Sequence, residues 1–266
     1  MNLTPLLSIV IPAYNEAERL PAYLKAVRTH CDCKLPGSYE VIVVDDGSQD
    51  GTWEWLQGAG TTWPGLRLIK HDQNQGKGAA VRTGLDAARG EYFLFTDADG
   101  ATPIGEEEAL RCSLVAGRDI AIGIRSSKDD RVKRQVFRAI QAQIFRLLVR
   151  AFFGLQIRDT QCGFKMLTRA SAHSLLPILK ETGYLLDIEM LLAARDRQLE
   201  ISQHRVEWTE QKGSKVRPVR DGLRMFFGLW RLRRTLRKNS IESRQPAGLP
   251  LVATIPVSDP LGELRG

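Results

Sequence analysis

The sequence predicts an α/β fold with a mainly parallel central sheet, and two observations carry that prediction. Five apolar runs, Leu7 to Ile11, Glu40 to Val44, Leu66 to Lys70, Tyr92 to Thr96 and Asp119 to Ile124, are apolar on both faces, as buried parallel strands tend to be. Helical patterns stand between them, and strict alternation of strand and helix implies right-handed crossovers and a sheet covered on both sides.

Taken in order, the first strand ends in Pro12-Ala13-Tyr14-Asn15-Glu16 and feeds a helical pattern from Glu16 to Thr29. The second ends in Asp45-Asp46-Gly47-Ser48 before a helix from Gly51 to Gln57. The third is followed by Asp72 to Lys77 and a helix from Gly76 to Ala88. The fourth delivers Asp97-Ala98-Asp99 and precedes a helix from Gly105 to Ala116, and the fifth ends at Arg125. Each polar cluster alone reads as a turn or a helix cap. All five together fall at the carboxyl ends of the strands, where sheets of this kind bind their ligands.

Past Arg125 the alternation stops. A helical pattern runs from Arg131 to about Phe153, with Val132, Val136, Ile140 and Ile144 at four-residue spacing. "IRDTQCGFKMLTR" reads as a hairpin or strand-loop element, helices follow near Ala170 to Lys180 and Asp187 to Arg197, and Glu200 to Trp208 reads as a last strand. Lys215 to Lys238 holds nine Lys or Arg against the single Asp221. On a helical wheel Met225, Leu229, Leu232 and Leu236 form a stripe that would pack on the domain. Phe226, Phe227 and Trp230 fall on the other side among Arg231, Arg234 and Arg237, the arrangement of an interfacial membrane helix. The expected division is a main domain over 1–215, a basic amphipathic membrane-interface helix over 216–238, and a flexible tail over 239–266 that is rich in proline.

Composition narrows the class. With 266 residues, 43% of them hydrophobic, and a mean hydropathy of -0.23, the chain has the profile of a soluble globular protein. No apolar run approaches the roughly 18 to 20 residues that span a bilayer, and the N-terminus has neither a basic start nor a cleavage site, so a cytoplasmic place is expected. Cys31, Cys33, Cys112 and Cys162 lack a metal-ligand spacing and are expected to be reduced structural thiols. The net charge of +7 and a sequence pI of about 9.4 favour a polyanionic partner. Nucleic acid is disfavoured, because the acidic sheet edge repels phosphate unless a metal is present.

The paired aspartates after the fourth strand have a chemical reading. Asp97-x-Asp99 offers two oxygen ligands to Mg²⁺ or Mn²⁺, hard cations that often hold a diphosphate in their remaining positions. Lys77 in "NQGKGAA" stands in a glycine-rich turn opening a helix, where backbone N–H groups, helix dipole and ammonium all favour phosphate. The segment matches neither a P-loop nor a complete GxGxxG.

"VIPAYNE", "VVDDGSQDGT", "NQGKGAAVRTG", "DADG", "RDTQCGFK", "GYLLDIEML" and "EWTEQKGSK" occur in the order and spacing of family 2 glycosyltransferases of the GT-A fold, a Rossmann-like fold for nucleotide-diphospho-sugars. The chain resembles most the dolichyl-phosphate glucosyltransferases, with polyprenyl-phosphate mannosyl and glucosyl transferases close behind. "DADGAT" with "DTQCGFK" and "GSK" favours the glucosyl branch, since mannosyl relatives more often carry Leu and Gln after the second aspartate. The resemblance implies a metal-dependent inverting transfer of glucose from UDP-glucose to a polyprenyl phosphate. Mannose from GDP-mannose, or a soluble acceptor, is the alternative. It also implies residue roles. Pro12, Tyr14 and Glu16 line the nucleoside pocket, Asp46 contacts base or ribose, Lys77 and Asp97 meet the donor, and Asp97 and Asp99 hold the metal. Arg125, Ser214 and Lys215 bind the acceptor phosphate, and Asp187 and Glu189 match an acidic motif that often supplies a catalytic base. The relatives usually carry a membrane-spanning N-terminal segment, none is expected in this chain, and the basic helix is expected to replace it on an anionic membrane surface.

Overall fold

The computed structural model describes residues 4–126, 147–211 and 228–234. The alternating part resolves as β1 (Leu7–Ala13), α1 (Leu20–Lys34), β2 (Tyr39–Asp45), α2 (Thr52–Thr62), β3 (Leu66–Lys70), α3 (Lys77–Ala87), β4 (Tyr92–Thr96), α4 (Glu107–Val115) and β5 (Ile120–Ser126). Helical residues 147–153 (α5), β6 (Phe164–Thr168), α6 (Arg169–Leu175), α7 (Leu186–Asp196), β7 (Ile201–Glu207) and helical residues 228–234 (α8) complete the described chain. The five predicted strands stand where the apolar runs put them. Helix α1 begins later than its pattern, because the amides of Arg19 and Leu20 both donate to the Glu16 carbonyl, at 3.1 and 2.9 Å, and make a turn first. Of the helix expected over Arg131 to Phe153, α5 is helical and the remainder, with Val132, Val136, Ile140 and Ile144, lies outside the described residues.

One seven-stranded sheet has the order β3-β2-β1-β4-β6-β5-β7. β3, β2, β1 and β4 run parallel, and β7 runs parallel to β5 at the far edge. β6 enters between β4 and β5, antiparallel to both. The sheet is thus mainly parallel, as predicted, but its fourth and fifth strands are not neighbours. This inversion matters for the site. An antiparallel strand begins at the edge where its parallel neighbours end, so the register Thr96 to Phe164 and Phe95 to Lys165 brings Gly163 and Lys165 to the edge that carries Asp97.

Both faces are covered, as alternating side chains of a buried strand require. Ile9, Ile11, Val41, Val43, Leu94, Phe164 and Met166 pack with α1 and α4 on one side. Val10, Ile42, Val44, Phe93, Phe95 and Ile122 pack with α3, α6, α7 and α8 on the other. Leu229 and Leu232, half of the predicted inward stripe of the basic helix, are buried in that second cluster, while Met225 and Leu236 lie outside the described residues. The tail over 239–266 also lies outside them. No described helix is long and apolar enough to cross a membrane. The cysteines are unpaired, Cys31 and Cys162 in the core and Cys33 and Cys112 exposed; burial pushes the thiols of Cys31 and Cys162 up to about 12 and about 11.

Candidate active site

The loops after β1 and β2 are knitted together by side chains that accept backbone hydrogen bonds. Asn15 takes a left-handed conformation (φ 55°), its amide donates to Ser48 Oγ at 2.9 Å, and its side-chain oxygen accepts from the Gln49 amide at 2.8 Å. The Glu16 amide donates to Thr52 Oγ1 at 2.8 Å and the Ala17 amide to Asp50 at 3.2 Å. "DDGSQDGT" is therefore a run of short polar acceptors because each serves a particular amide.

The expected nucleoside-pocket residues divide. Pro12 is buried inside β1 opposite Val44, whereas Tyr14 stands just past the strand and is 37% exposed. Glu16 is buried and pairs with Arg19. Asp46 is 2% exposed, and its carboxylate accepts from His71 Nδ1 at 2.7 Å and from the amides of Gln75 and Gly76 at 2.9 and 2.8 Å. It thereby sets the turn that opens α3. Its neighbour Asp45 is fully buried, and its Oδ1 has no partner among the described residues.

A row of alternating charges follows. Lys165 is fully buried; its ammonium pairs with Asp187, donates to the Cys162 carbonyl at 2.6 Å, and lies 5.3 Å from the Phe95 ring centre. Lys77 Nζ meets Asp97 Oδ1 at 2.5 Å. Burial works against the charge of Lys77, but the charges of Asp97 and Asp187 more than offset it and raise its pKa. Asp99 accepts from the Ala101 amide at 3.0 Å and has Arg19 at 3.7 Å. Burial, then the nearby charge of Asp97, raises the carboxyl of Asp99 above its ordinary value. Gly163 presses on this row: a Cβ there would collide with the carboxylate of Asp97.

This donor set fits a hard divalent cation. Two carboxylates lie on one turn, Asp97 with 40% and Asp99 with 26% of the side chain exposed, and both offer hard oxygen donors.

At the other end of the edge Arg125 makes a two-pronged pair with Asp159, Nε to Oδ2 at 2.7 Å and Nη2 to Oδ1 at 2.9 Å, and its guanidinium lies 5.8 Å from the Trp208 ring centre. Nη1 of Arg125 has no partner among the described residues. Ser214 and Lys215 lie outside the described residues. Asp187 and Glu189 share the first turn of α7 and diverge. Asp187 turns to Lys165, whereas Glu189 Oε2 accepts from the amides of Lys180 and Glu181 at 2.9 and 2.8 Å and meets none of Lys77, Asp97 or Asp99. Lys165, Asp159, Arg19 and Gly163 join the site without having been expected there. For Lys165 a signal exists, since a lysine inside the apolar run "FKMLT" has to find a carboxylate.

The family model described as Glycosyl transferase family 2 matches residues 8–176. A dolichyl-phosphate beta-glucosyltransferase of Drosophila melanogaster is 40% identical over 241 residues, 84% of this chain and 74% of that protein. One of Homo sapiens is 35% identical, over 89% of this chain and 81% of its own length. Among solved structures, glucosyl-3-phosphoglycerate synthase from Mycobacterium tuberculosis, in complex with Mn²⁺, UDP and phosphoglyceric acid, superposes with a TM-score of 0.66 at 21% identity, covering 86% of this chain and 78% of that one. The same synthase with Mn²⁺ and UDP-glucose gives 0.66 at 20% identity, covering 86% and 79%. That likeness is one of fold, the GT-A type of α/β sheet.

Proposed function

This chain belongs to glycosyl transferase family 2, and from that premise we propose that it moves glucose from UDP-glucose to a polyprenyl phosphate of the dolichyl type, inverting the anomeric carbon. The observation that carries the reading is the charge row at the sheet edge, where Lys77 pairs with Asp97, Lys165 pairs with Asp187, and Asp99 shares the turn of Asp97. Asp97 and Asp99 would hold Mg²⁺ or Mn²⁺. That ion, when bound, neutralises charge on the departing diphosphate.

The residues then divide the work. Lys77, on the turn that opens α3, would reach the diphosphate and stabilise the charge that grows on the leaving oxygen. Tyr14, near Pro12 and Glu16 in the chain, offers the exposed ring for the nucleoside, and Asp46 acts by holding the turn that presents Lys77. Asp187, paired with Lys165, would accept from sugar hydroxyls. A strong base is not required, because an acceptor phosphomonoester has a second pKa near about 6 and is already largely deprotonated at neutral pH. Its oxygen forms the bond to the anomeric carbon as the bond to the UDP oxygen breaks. Arg125, held by Asp159 beside Trp208, would grip that phosphate together with Ser214 and Lys215. The basic helix over 216–238 would keep the enzyme on the cytoplasmic face of an anionic membrane.

The test is transfer of label from UDP-glucose, and separately GDP-mannose, to an organic-extractable product with polyprenyl phosphate and Mg²⁺ or Mn²⁺. Labelled β-linked lipid from UDP-glucose is expected, lost with EDTA and in Asp99→Ala, and about 10²–10³-fold slower in Lys77→Ala. Label from GDP-mannose alone would overturn the donor, a retained α-linkage would overturn the mechanism, and donor turnover without lipid labelling would point to a soluble acceptor.

A further inference from the structure

Glu189 stands two residues after Asp187 yet faces away from the charge row, and its surroundings give it a different task. Both hydrogen bonds it accepts come from the backbone of the segment 180–183 that precedes α7. That segment is a wall for the turn carrying Lys77. The Ala79 amide, in the first turn of α3, donates to the Thr182 carbonyl at 3.1 Å. Gly76 (φ +103°) lies so close that a Cβ would strike the Thr182 carbonyl, and a Cβ on Gly78 would lie 2.7 Å from the Gly183 carbonyl oxygen and 2.8 Å from the Thr182 carbonyl carbon. Backbone therefore meets backbone on both sides of Lys77, a contact that only glycine permits.

We propose that Glu189 is a positioning residue for the phosphate-binding turn: it fixes segment 180–183, and that segment sets where Gly76, Lys77 and Gly78 present themselves to the donor diphosphate. The chain from Glu189 is short. Its carboxylate holds the amides of 180 and 181, the next carbonyl receives the Ala79 amide, and Ala79 is two residues from Lys77. With the amide of Ala79 satisfied by the wall, the amides of Lys77 and Gly78 are the ones left at the start of α3 to face a phosphate. The outer side of the wall is braced as well, since Arg231 of α8 donates to Glu181 at 2.8 and 3.0 Å. Burial raises the carboxyl of Glu189 above its ordinary value, consistent with a site enclosed by chain rather than open to substrate.

This role rests on the assignment of Lys77 to the donor diphosphate, and the experiment separates the two. UDP affinity is measured by calorimetry with Mn²⁺ supplied, alongside kinetics with UDP-glucose and polyprenyl phosphate. Glu189→Gln keeps an oxygen able to accept both amides and should stay within about threefold of wild type in UDP affinity and kcat. Glu189→Ala should weaken UDP binding and raise the donor KM by about 10- to 100-fold, leave the acceptor KM unchanged, and speed hydrogen exchange at the Ala79 amide. Gly78→Ala, which forces the turn off the wall with Glu189 in place, should reproduce the weaker UDP binding. Glu189→Gln that bound UDP normally but lost catalysis would make Glu189 an acid or base and overturn the proposal, and so would Glu189→Ala with wild-type UDP affinity. Wild-type protein that bound no UDP would instead overturn the donor assignment, and this role with it.

Discussion

At the scale of single residues, Arg125 shows how a functional side chain is kept ready. An arginine at a strand end has many rotamers, and here Asp159 takes two of its nitrogens while Trp208 lies beneath the guanidinium. Burial alone would raise the carboxyl of Asp159, but the hydrogen bond and charge of Arg125 carry it below its usual value of 3.8. A carboxyl depressed in the folded state stabilises fully above its unfolded value, and the contribution is lost as pH falls through the folded value. Wild type should therefore exceed Asp159→Asn by about 1–2 kcal/mol from pH 7 to pH 5, with the gap closing below about pH 4. Thermal melts of both proteins across that range check it, and a gap that widened on acidification would refute the pairing. Arg125 itself is legible in the sequence, because it ends a strand at the edge where ligands bind. Asp159 is not, since nothing local says that a residue 34 positions away will close on it.

At the scale of elements, strand positions are legible and strand order is not. An apolar run of five to seven residues announces a buried strand wherever it sits in the sheet. That β6 should slip between β4 and β5 and run backwards depends on which edges are open when the chain returns, and periodicity does not encode this. The charge row depends on that inversion, for Lys165 arrives on β6 and Gly163 immediately before it. Pairing Lys165 with Asp187 also joins the sheet to α7 through a fully desolvated ammonium. Removing one partner strands the other, so Lys165→Met should cost about 3–5 kcal/mol in urea unfolding. Adding Asp187→Leu should recover most of that loss, because two apolar side chains can replace a buried pair, while leaving transfer activity low. Recovery of activity along with stability would show that the pair serves the fold alone.

At the scale of the whole molecule, the +7 charge has to be reconciled with an acidic sheet edge, and α8 shows how the two are separated. Leu229 and Leu232 are sunk in the same cluster as Leu185 and Leu186, so the helix is docked on the domain by its inner stripe, as its sequence predicts. Its outer side presents Trp230, 47% exposed, with the Arg234 guanidinium 3.3 Å from the ring centre, and Arg233 lies 5.1 Å from the ring centre of Phe152 on α5. Phe226 and Phe227, expected on the same side, lie outside the described residues. An exposed indole among arginines suits the depth of lipid headgroups, where the ring is half in hydrocarbon and the cations meet anionic lipid. With about 1 kcal/mol per basic residue near such a surface, replacing Arg233 and Arg234 by Gln should weaken binding to phosphatidylserine vesicles by about 30-fold. Trp230→Ser should weaken binding to anionic and neutral vesicles alike, because its contribution is burial rather than charge. Raising salt from about 0.05 to about 0.5 M should imitate the arginine variant and spare the tryptophan term, since screening shortens the reach of the charges without affecting insertion. Co-sedimentation with vesicles of defined composition reads all three. If anionic vesicles fail to bring down the wild-type protein at low salt, the outer side of α8 is a solvated surface, and the enzyme must reach its lipid acceptor by some other part of the chain.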